Sequence, residues 1–248
     1  MLLDPAAAAA GARLIAHQAV DSTNAEGLRL ARAGERGPLW IVARSQTAGR
    51  GRRGRRWVSE PGNLYASLVL SDPAPPDQAA ELSFVAALAL HDAVSGRIPG
   101  LAGRMALKWP NDLLIDRHKF AGILVEGEGR AVVVGIGVNC THHPAGTEFP
   151  ATDLAAAGVR ATPESLFSPL SAAMVARLVQ WNRGADFAAI RSDWLTRAAG
   201  VGKAVRVAMP EGERTGRFES IDQAGRLRLR RDDGSVDTIA AGDVFLRP

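Results

Sequence analysis

Apolar and polar positions along the chain switch between a helical and a strand-like period, and the switches divide it into elements. Thr23 to Glu26 spells T-x-x-E, a capping box, ahead of a helix that runs to about residue 33 and stops at Gly34. LWIVARS (39–45) is apolar and β-prone, and NLYASLVL (63–70) alternates like a half-buried strand. Past the Pro-rich SDPAPPD, residues 78–95 are largely apolar on all sides and predict a long buried helix. Four strand-like runs follow: MALKW (105–109), DLLID (112–116), KFAGILVEGE (119–128) and AVVVGIGVN (131–139). Turns as short as GEGR between them predict an antiparallel meander.

Residues 163–199 read as two helices. Thr162-Pro163-Glu164 supplies a cap, a first-turn proline and an acid near the positive helix end. Beyond Gly200 the strand period returns in KAVRVAM, TGRFESI, RLRLRR and VDTIAAGDVFL, broken by PEG, QAG and DDG. Such short strands in so short a segment predict a small β-barrel on a short linker. The fold class is therefore α+β, with a mixed or antiparallel sheet, because the strands run together instead of alternating with helices. The domains expected are 1–200, carrying the chemistry, and 201–248, the barrel.

Composition bounds the function without choosing it. With 248 residues and 46% hydrophobic content, the chain can fill a sizeable core. No run approaches the roughly 20 apolar residues of a membrane span, and MLLDPAAAAAGARL lacks the basic start of a secretory signal. A single cysteine, Cys140, forms no internal disulfide and fits a reducing compartment, so a cytoplasmic location is expected. The net charge is +4, but only three of the 30 basic residues are lysines, and two of these, Lys108 and Lys119, fall in one short stretch. Lysine is a compact point charge where arginine is a planar fork, so lysines surviving in an arginine-rich chain invite a chemical reason.

Two segments carry candidate chemistry. Gly49 to Trp57, G-R-G-R-R-G-R-R-W, interleaves arginines with glycines, which let backbone N–H groups approach an anion while guanidinium forks bind phosphate or carboxylate oxygens. A solvated basic loop, a nucleic-acid contact and a nucleotide-phosphate clamp all suit it. The clamp is preferred, because one short run inside a globular domain is a meagre nucleic-acid surface; no G-K-[ST] follows, so it is not a Walker A loop. Like charges on so glycine-rich a segment predict mobility without a ligand and order around an anion. The second segment is Lys108-Trp109-Pro110-Asn111-Asp112, a strand-to-strand corner aiming Lys108 and Asp112 together, with Lys119 opening the next strand and Gly122 within it. Periodicity alone does not separate a ligand cleft from an ordinary hairpin with a surface ion pair. Attack of a carboxylate on a nucleotide α-phosphate would need such cations, with an aromatic wall to keep water from the product anhydride.

Taken in order, D-S-T-N (21–24), Q-T-A-G-R-G-R-R-G-R-R-W (46–57), K-W-P-N-D (108–112), K-F-A-G-I-L-V-E (119–126) and G-I-G-V-N (135–139) resemble the biotin–protein ligases. Each motif alone is weak; five in order are specific. The resemblance implies a catalytic domain with a class II aminoacyl-tRNA-synthetase-like core and a C-terminal SH3-like barrel. It also implies adenylation of biotin by ATP, with Mg²⁺, and transfer of biotin to a lysine of a biotin carboxyl carrier protein of acetyl-CoA carboxylase or a related carboxylase. Carried over by position, Ser22, Thr23, Asn24, Gln46 and Gly122 line the biotin site, and Arg50, Gly51 and Arg52 close over it. Lys119 sits at the biotin carboxylate and the α-phosphate, and Trp57 walls the adenylate. Lys108, Asn111 and Asp112 support the nucleotide and metal end, and Asn139 the adenine side. Lys119, Arg50 and Asp112 are the catalytic candidates, Asp112 also for orienting or deprotonating the incoming lysine. No metal ligand set stands out.

Only 20 residues precede Asp21, so the resemblance is to the monofunctional class, without sequence-specific DNA binding, and it leaves room for a homodimer. Lipoate–protein ligases share the core and are the nearest alternative; an arginine-rich nucleic-acid-binding module and an inactive carrier-binding protein are alternatives of other classes. Three weaker features are set aside. Gly135-Ile136-Gly137 lacks the third glycine of a dinucleotide fingerprint, His142-His143 lacks zinc spacing, and Cys140 has no nucleophile motif. RLRLRR reads as a basic outer barrel face, available to an acceptor protein.

Overall fold

The computed structural model describes residues 1–246. Seven strands form a mixed sheet: β1 (Arg13–Val20), β2 (Leu39–Gln46), β3 (Leu64–Ser71), β4 (Met105–Lys108), β5 (Asp112–Ile115), β6 (His118–Glu128) and β7 (Ala131–Val138), in the order β1-β2-β3-β7-β6-β5-β4. Only the β1–β2 pair is parallel; the rest are antiparallel, as the short turns require. No element was expected before Asp21; the chain there forms the short helix α1 (Pro5–Ala9) and then β1, the larger addition. Its burial is patchy and it lies at the sheet edge, so it carries none of the clean alternation that marked β3.

Strand alternation sorts side chains to two faces. Trp40, Val42, Leu68, Val132 and Val134 enter the main core, while Leu39, Ile41, Val69 and Val133 meet helix α2 (Thr23–Arg32) through Leu28, Leu30 and Ala31. Helix α3 (Leu82–Arg97) is buried almost all round, as its uniform apolarity predicts, and packs against α4 (Pro163–Trp181) and α5 (Phe187–Thr196). One of the two expected caps differs in detail. The α2 cap is Ser22, whose Oγ accepts from Ala25 N, which leaves the Thr23 side chain for other partners. Thr162 caps α4 as read, with Ser165 as the reciprocal partner.

The C-terminal segment forms β8 (Ala204–Met209), β9 (Gly212–Ile221), β10 (Leu227–Arg230), β11 (Val236–Ile239) and β12 (Asp243–Leu246), an antiparallel set in the order β11-β10-β9-β8-β12. This is the five-stranded arrangement expected of the SH3-like barrel. It does not hang from a bare linker. One continuous apolar cluster runs from α3 into Val205, Val207, Phe218 and Leu227 of the barrel. Gly225 turns with φ 74° so close to Phe84 that an added Cβ would lie 2.6 Å from its ring, and its carbonyl accepts from Trp109 Nε1 at 2.9 Å. Trp109, 1% exposed, is thus a rivet between the two parts, not a plate facing a cleft.

Trp109→Ala should cost about 3–5 kcal/mol through lost burial and a residual cavity. Trp109→Phe should cost about 1–3 kcal/mol by leaving the Gly225 carbonyl short of its donor. Urea titrations check both, and a loss under about 1 kcal/mol for the alanine variant would refute the rivet.

Candidate active site

A cavity of about 360 Å³ opens between the sheet, the arginine loop, the segment after β7 and the barrel. Ser22, Thr23, Asn24, Gln46, Arg50, Gly51, Arg52, Trp57, Lys108, Asn111, Asp112, Lys119, Gly122 and Asn139 all line it. Residues up to 117 positions apart in sequence thus share one cleft, which local periodicity alone could not establish.

One end is a buried polar network at the start of α2. Gln46 Oε1 accepts from Thr23 N at 2.8 Å, and its Nε2 donates to Ser59 Oγ at 2.8 Å. Ser67 Oγ donates to Asn24 Oδ1 at 2.6 Å and lies 2.8 Å from Thr23 Oγ1. Asn24 Nδ2 donates to Glu126 Oε2 at 2.8 Å. Each amide is held on both sides, so its orientation is fixed before any ligand arrives, the preorganisation that recognition of a small polar head group needs. Ser67 and Glu126 were not singled out in sequence, although Glu126 closes the K-F-A-G-I-L-V-E motif.

At the centre, Asp112 lies between two lysines. Lys108 and Asp112 face each other across the β4–β5 hairpin, and Lys108 Nζ donates to Asp112 Oδ2 at 2.9 Å. Regular pairing would place Lys119 on the opposite face of β6. A bulge at the Leu113/Leu114 step shifts the register so that Lys119 pairs with Leu114 and comes to the Asp112 face. Its Nζ then makes an ion pair with Asp112 Oδ1 at 2.6 Å. Burial pushes the Asp112 carboxyl up, but the Lys108 and Lys119 charges more than reverse this and hold it well below the usual carboxylate range. Lys108 also lies over the Phe149 ring, 4.1 Å from its centroid.

The floor beside this triad is glycine. Gly122 and Gly137 are cross-strand partners, and added Cβ atoms would come within 3.2 Å and 2.7 Å of the Trp57 ring. The indole therefore lies directly on bare backbone, with Lys119 Nζ 5.3 Å from its ring centroid. Asn139 is pinned from the other side, its Nδ2 donating to Thr152 O at 3.0 Å.

Above the floor runs the arginine loop, closed by Gly51 N to Arg55 O at 2.7 Å, with Arg53 and Gly54 both at positive φ. The mobility expected from mutual repulsion assumed bare charges. Here Arg50 meets Glu126 at 3.3 Å, Arg52 Nη1 donates to Asn111 Oδ1 at 3.3 Å, and Asp243 of the barrel faces Arg53 and Arg55. The cleft as a whole is cation-rich and roofed by forked donors, suited to a polyanion.

Of the features set aside in sequence, Gly137 floors the cleft beneath Trp57, whereas Cys140, His142 and His143 do not line it. Burial pushes the Cys140 thiol up to about 12, which suppresses a thiolate. His143 pairs with Asp153 at 2.6 Å and His142 with Asn63. No group of three metal-ligating side chains occurs among the described residues.

Residues 17–141 match the family model of the biotin/lipoate A/B protein ligases, and residues 200–247 that of the biotin protein ligase C-terminal domain. A biotin–[acetyl-CoA-carboxylase] ligase of Paracoccus denitrificans is 44% identical over 239 residues, covering 91% of this chain and 97% of that protein. Its counterpart in Mycobacterium tuberculosis is 37% identical, covering 90% of this chain and 85% of that protein. Among solved structures, the biotin protein ligase of Aquifex aeolicus in complex with biotin and ATP matches with a TM-score of 0.80 at 26% identity, covering 95% of this chain and 98% of that one.

Proposed function

The chain belongs to the biotin/lipoate A/B protein ligase family, and from that premise we propose that it adenylates biotin with ATP and transfers the biotinyl group to a lysine of a carboxylase carrier domain. The observation that carries this reading is the Lys108–Asp112–Lys119 triad, set beside an indole on a glycine floor and beneath an arginine loop.

The chemistry follows from those positions. The α2 network holds the polar head of the acid, and the cleft directs its carboxylate toward Lys119. That ammonium is compact enough to serve both the carboxylate and the phosphate oxygens, which repel each other until a cation stands between them. Asp112 fixes the lysine by charge and, well below its usual range, remains an anion throughout. Arg50 and Arg52 meet phosphate charge from the loop, and Trp57 screens the acyl-adenylate from water. The carboxylate oxygen attacks the α-phosphorus and pyrophosphate leaves with the α–β bridging oxygen. The neutral acceptor lysine then attacks the carbonyl carbon, AMP departs with the acyl oxygen that bridged to phosphorus, and the amine proton passes to solvent. Among the described residues no group of three acidic or histidine side chains would cage a resident Mg²⁺; an ion brought in by the nucleotide would supply charge neutralisation beside Asn111 and Asp112.

The acceptor we favour is the biotin carboxyl carrier domain, by likeness to relatives named for acetyl-CoA carboxylase. We place the enzyme in the cytoplasm, for which its one cysteine, buried and unpaired, is suited; no described helix is long and apolar enough to cross a membrane. A sequence-specific DNA reader is not favoured, because Arg50, Arg52, Arg55 and Arg56 line the cleft. A lipoate ligase is the second reading, since the family model spans both acids. The test is incubation of the pure protein with MgATP and biotin, lipoate or octanoate, followed by mass spectrometry. Biotinyl-adenylate alone is expected; lipoyl-adenylate as the main product would transfer the assignment to the second reading.

A further inference from the structure

Three arginines of the ligand loop converge on one carboxylate that belongs to the other end of the chain. Arg55 Nη2 lies 2.6 Å and Arg53 Nη1 3.1 Å from Asp243 Oδ2, and Arg52 Nη1 lies 3.8 Å from Oδ1. The neighbouring Gly242 carbonyl accepts from Arg52 at 3.3 Å. Asp243 opens β12 and pairs with Ala208 of β8, so its backbone is fixed by the barrel and not by the loop it serves. Its side chain is 19% exposed, shielded enough for charge to matter more than in an open surface pair.

We propose that Asp243 is a positioning residue for adenylation, a counter-charge through which the C-terminal barrel holds the arginine loop over the nucleotide end of the cleft; this rests on the ligase reading above. Five arginines within seven positions repel one another, and Glu126 and Asp243 form ion pairs with them, with Asp112 and Glu148 acting on Arg55 from further off. The loop turns at Arg53 and Gly54, which sends Arg53 and Arg55 outward to Asp243 while Arg52 reaches inward to Asn111. Anchoring the outer pair fixes where the inner pair points. One acid against three bases still leaves that corner two charges positive, so the latch organises the loop without neutralising it, and a triphosphate retains its attraction. The barrel thereby acts on the chemistry from outside the pocket floor.

The contact predicts a specific set of results. Asp243→Asn keeps shape and removes charge. Hydrogen exchange of the 49–57 segment in the ligand-free protein should then quicken about tenfold, with strands β8 and β9 unchanged. KM for ATP should rise about tenfold and kcat change little, because Arg52 is misdirected while Lys119 is untouched. Asp243→Glu should restore both. Arg53→Gln with Arg55→Gln attacks the same contact from the exposed side, and adding Asp243→Asn to that pair should produce little further change. Loop exchange and KM for ATP within twofold of wild type in both Asp243→Asn and the double glutamine variant would overturn the latch, as would fully additive effects. Exchange reads the latch without substrate, so a wild-type protein inactive on every acid would sink the ligase reading separately.

Discussion

Lys119→Ala should lower the single-turnover rate of biotinyl-adenylate formation by about 10²–10³-fold, the usual cost of removing one preorganised charge donor from a reacting oxyanion. The loss should fall on catalysis and not on folding. Lys119 is partly exposed, and Asp112 keeps Lys108 as a partner in its absence, so no buried charge is orphaned. Its backbone bonds, N to Pro150 O and O from Thr152 N, do not depend on the side chain. Lys119→Arg should rescue poorly. The ammonium stands between the Asp112 carboxylate and the Trp57 face, and the Lys119 stem lies close on the bare backbone of Gly122; a planar fork does not replace a point charge held in that way. Quench-flow with labelled ATP measures the step, and undiminished adenylation by both variants would remove Lys119 from the chemistry.

Asp112→Asn should cost about 3–5 kcal/mol of stability at pH 7, because it leaves Lys108 buried without a counter-ion. The Lys108 and Asp112 side chains are 5% and 9% exposed, so solvent screens the pair little. The pH dependence follows in sign. Burial raises the folded-state pKa of Asp112, the two lysines outweigh it, and the net result lies below the unfolded value of about 3.9. A depressed acid binds fewer protons folded than unfolded in that range, so its stabilisation is complete above the unfolded pKa. It is lost as pH falls through the folded one. Urea titrations should therefore show a constant gap between wild type and Asp112→Asn from pH 5 to 8, narrowing below about pH 4. A gap below 1 kcal/mol at pH 7, or one that widens on acidification, would contradict the charge assignment.

What was legible in the sequence was what short spacing encodes. The strands β3 to β7 followed from alternation and turn residues, α3 from uniform apolarity, and the α4 start from Thr162-Pro163. The motif residues were legible for the same reason: Lys108 and Asp112 are hairpin partners four positions apart, and their meeting is a local event. Strand β1 was not, because an edge strand needs only one good face and shows only a broken pattern. Trp109 was readable as an aromatic beside a proline, but its burial against Gly225 depends on where the barrel docks.

Lys119 shows how the two levels divide. Its chemistry, a rare lysine at a strand start, is in the sequence. Its face is decided by a one-residue bulge, whose position follows from how Phe120 and Ala121 both find the core. Asp243 lies wholly on the other side of the division, 190 residues from Arg53 in a strand with no motif of its own. Local propensity acts over a few residues, whereas charge pairing across the molecule exists only once α3, Trp109 and the barrel have packed together. The sequence by itself determined the parts and their chemistry; the packing of the barrel against the catalytic core decided which charges stand over the cleft.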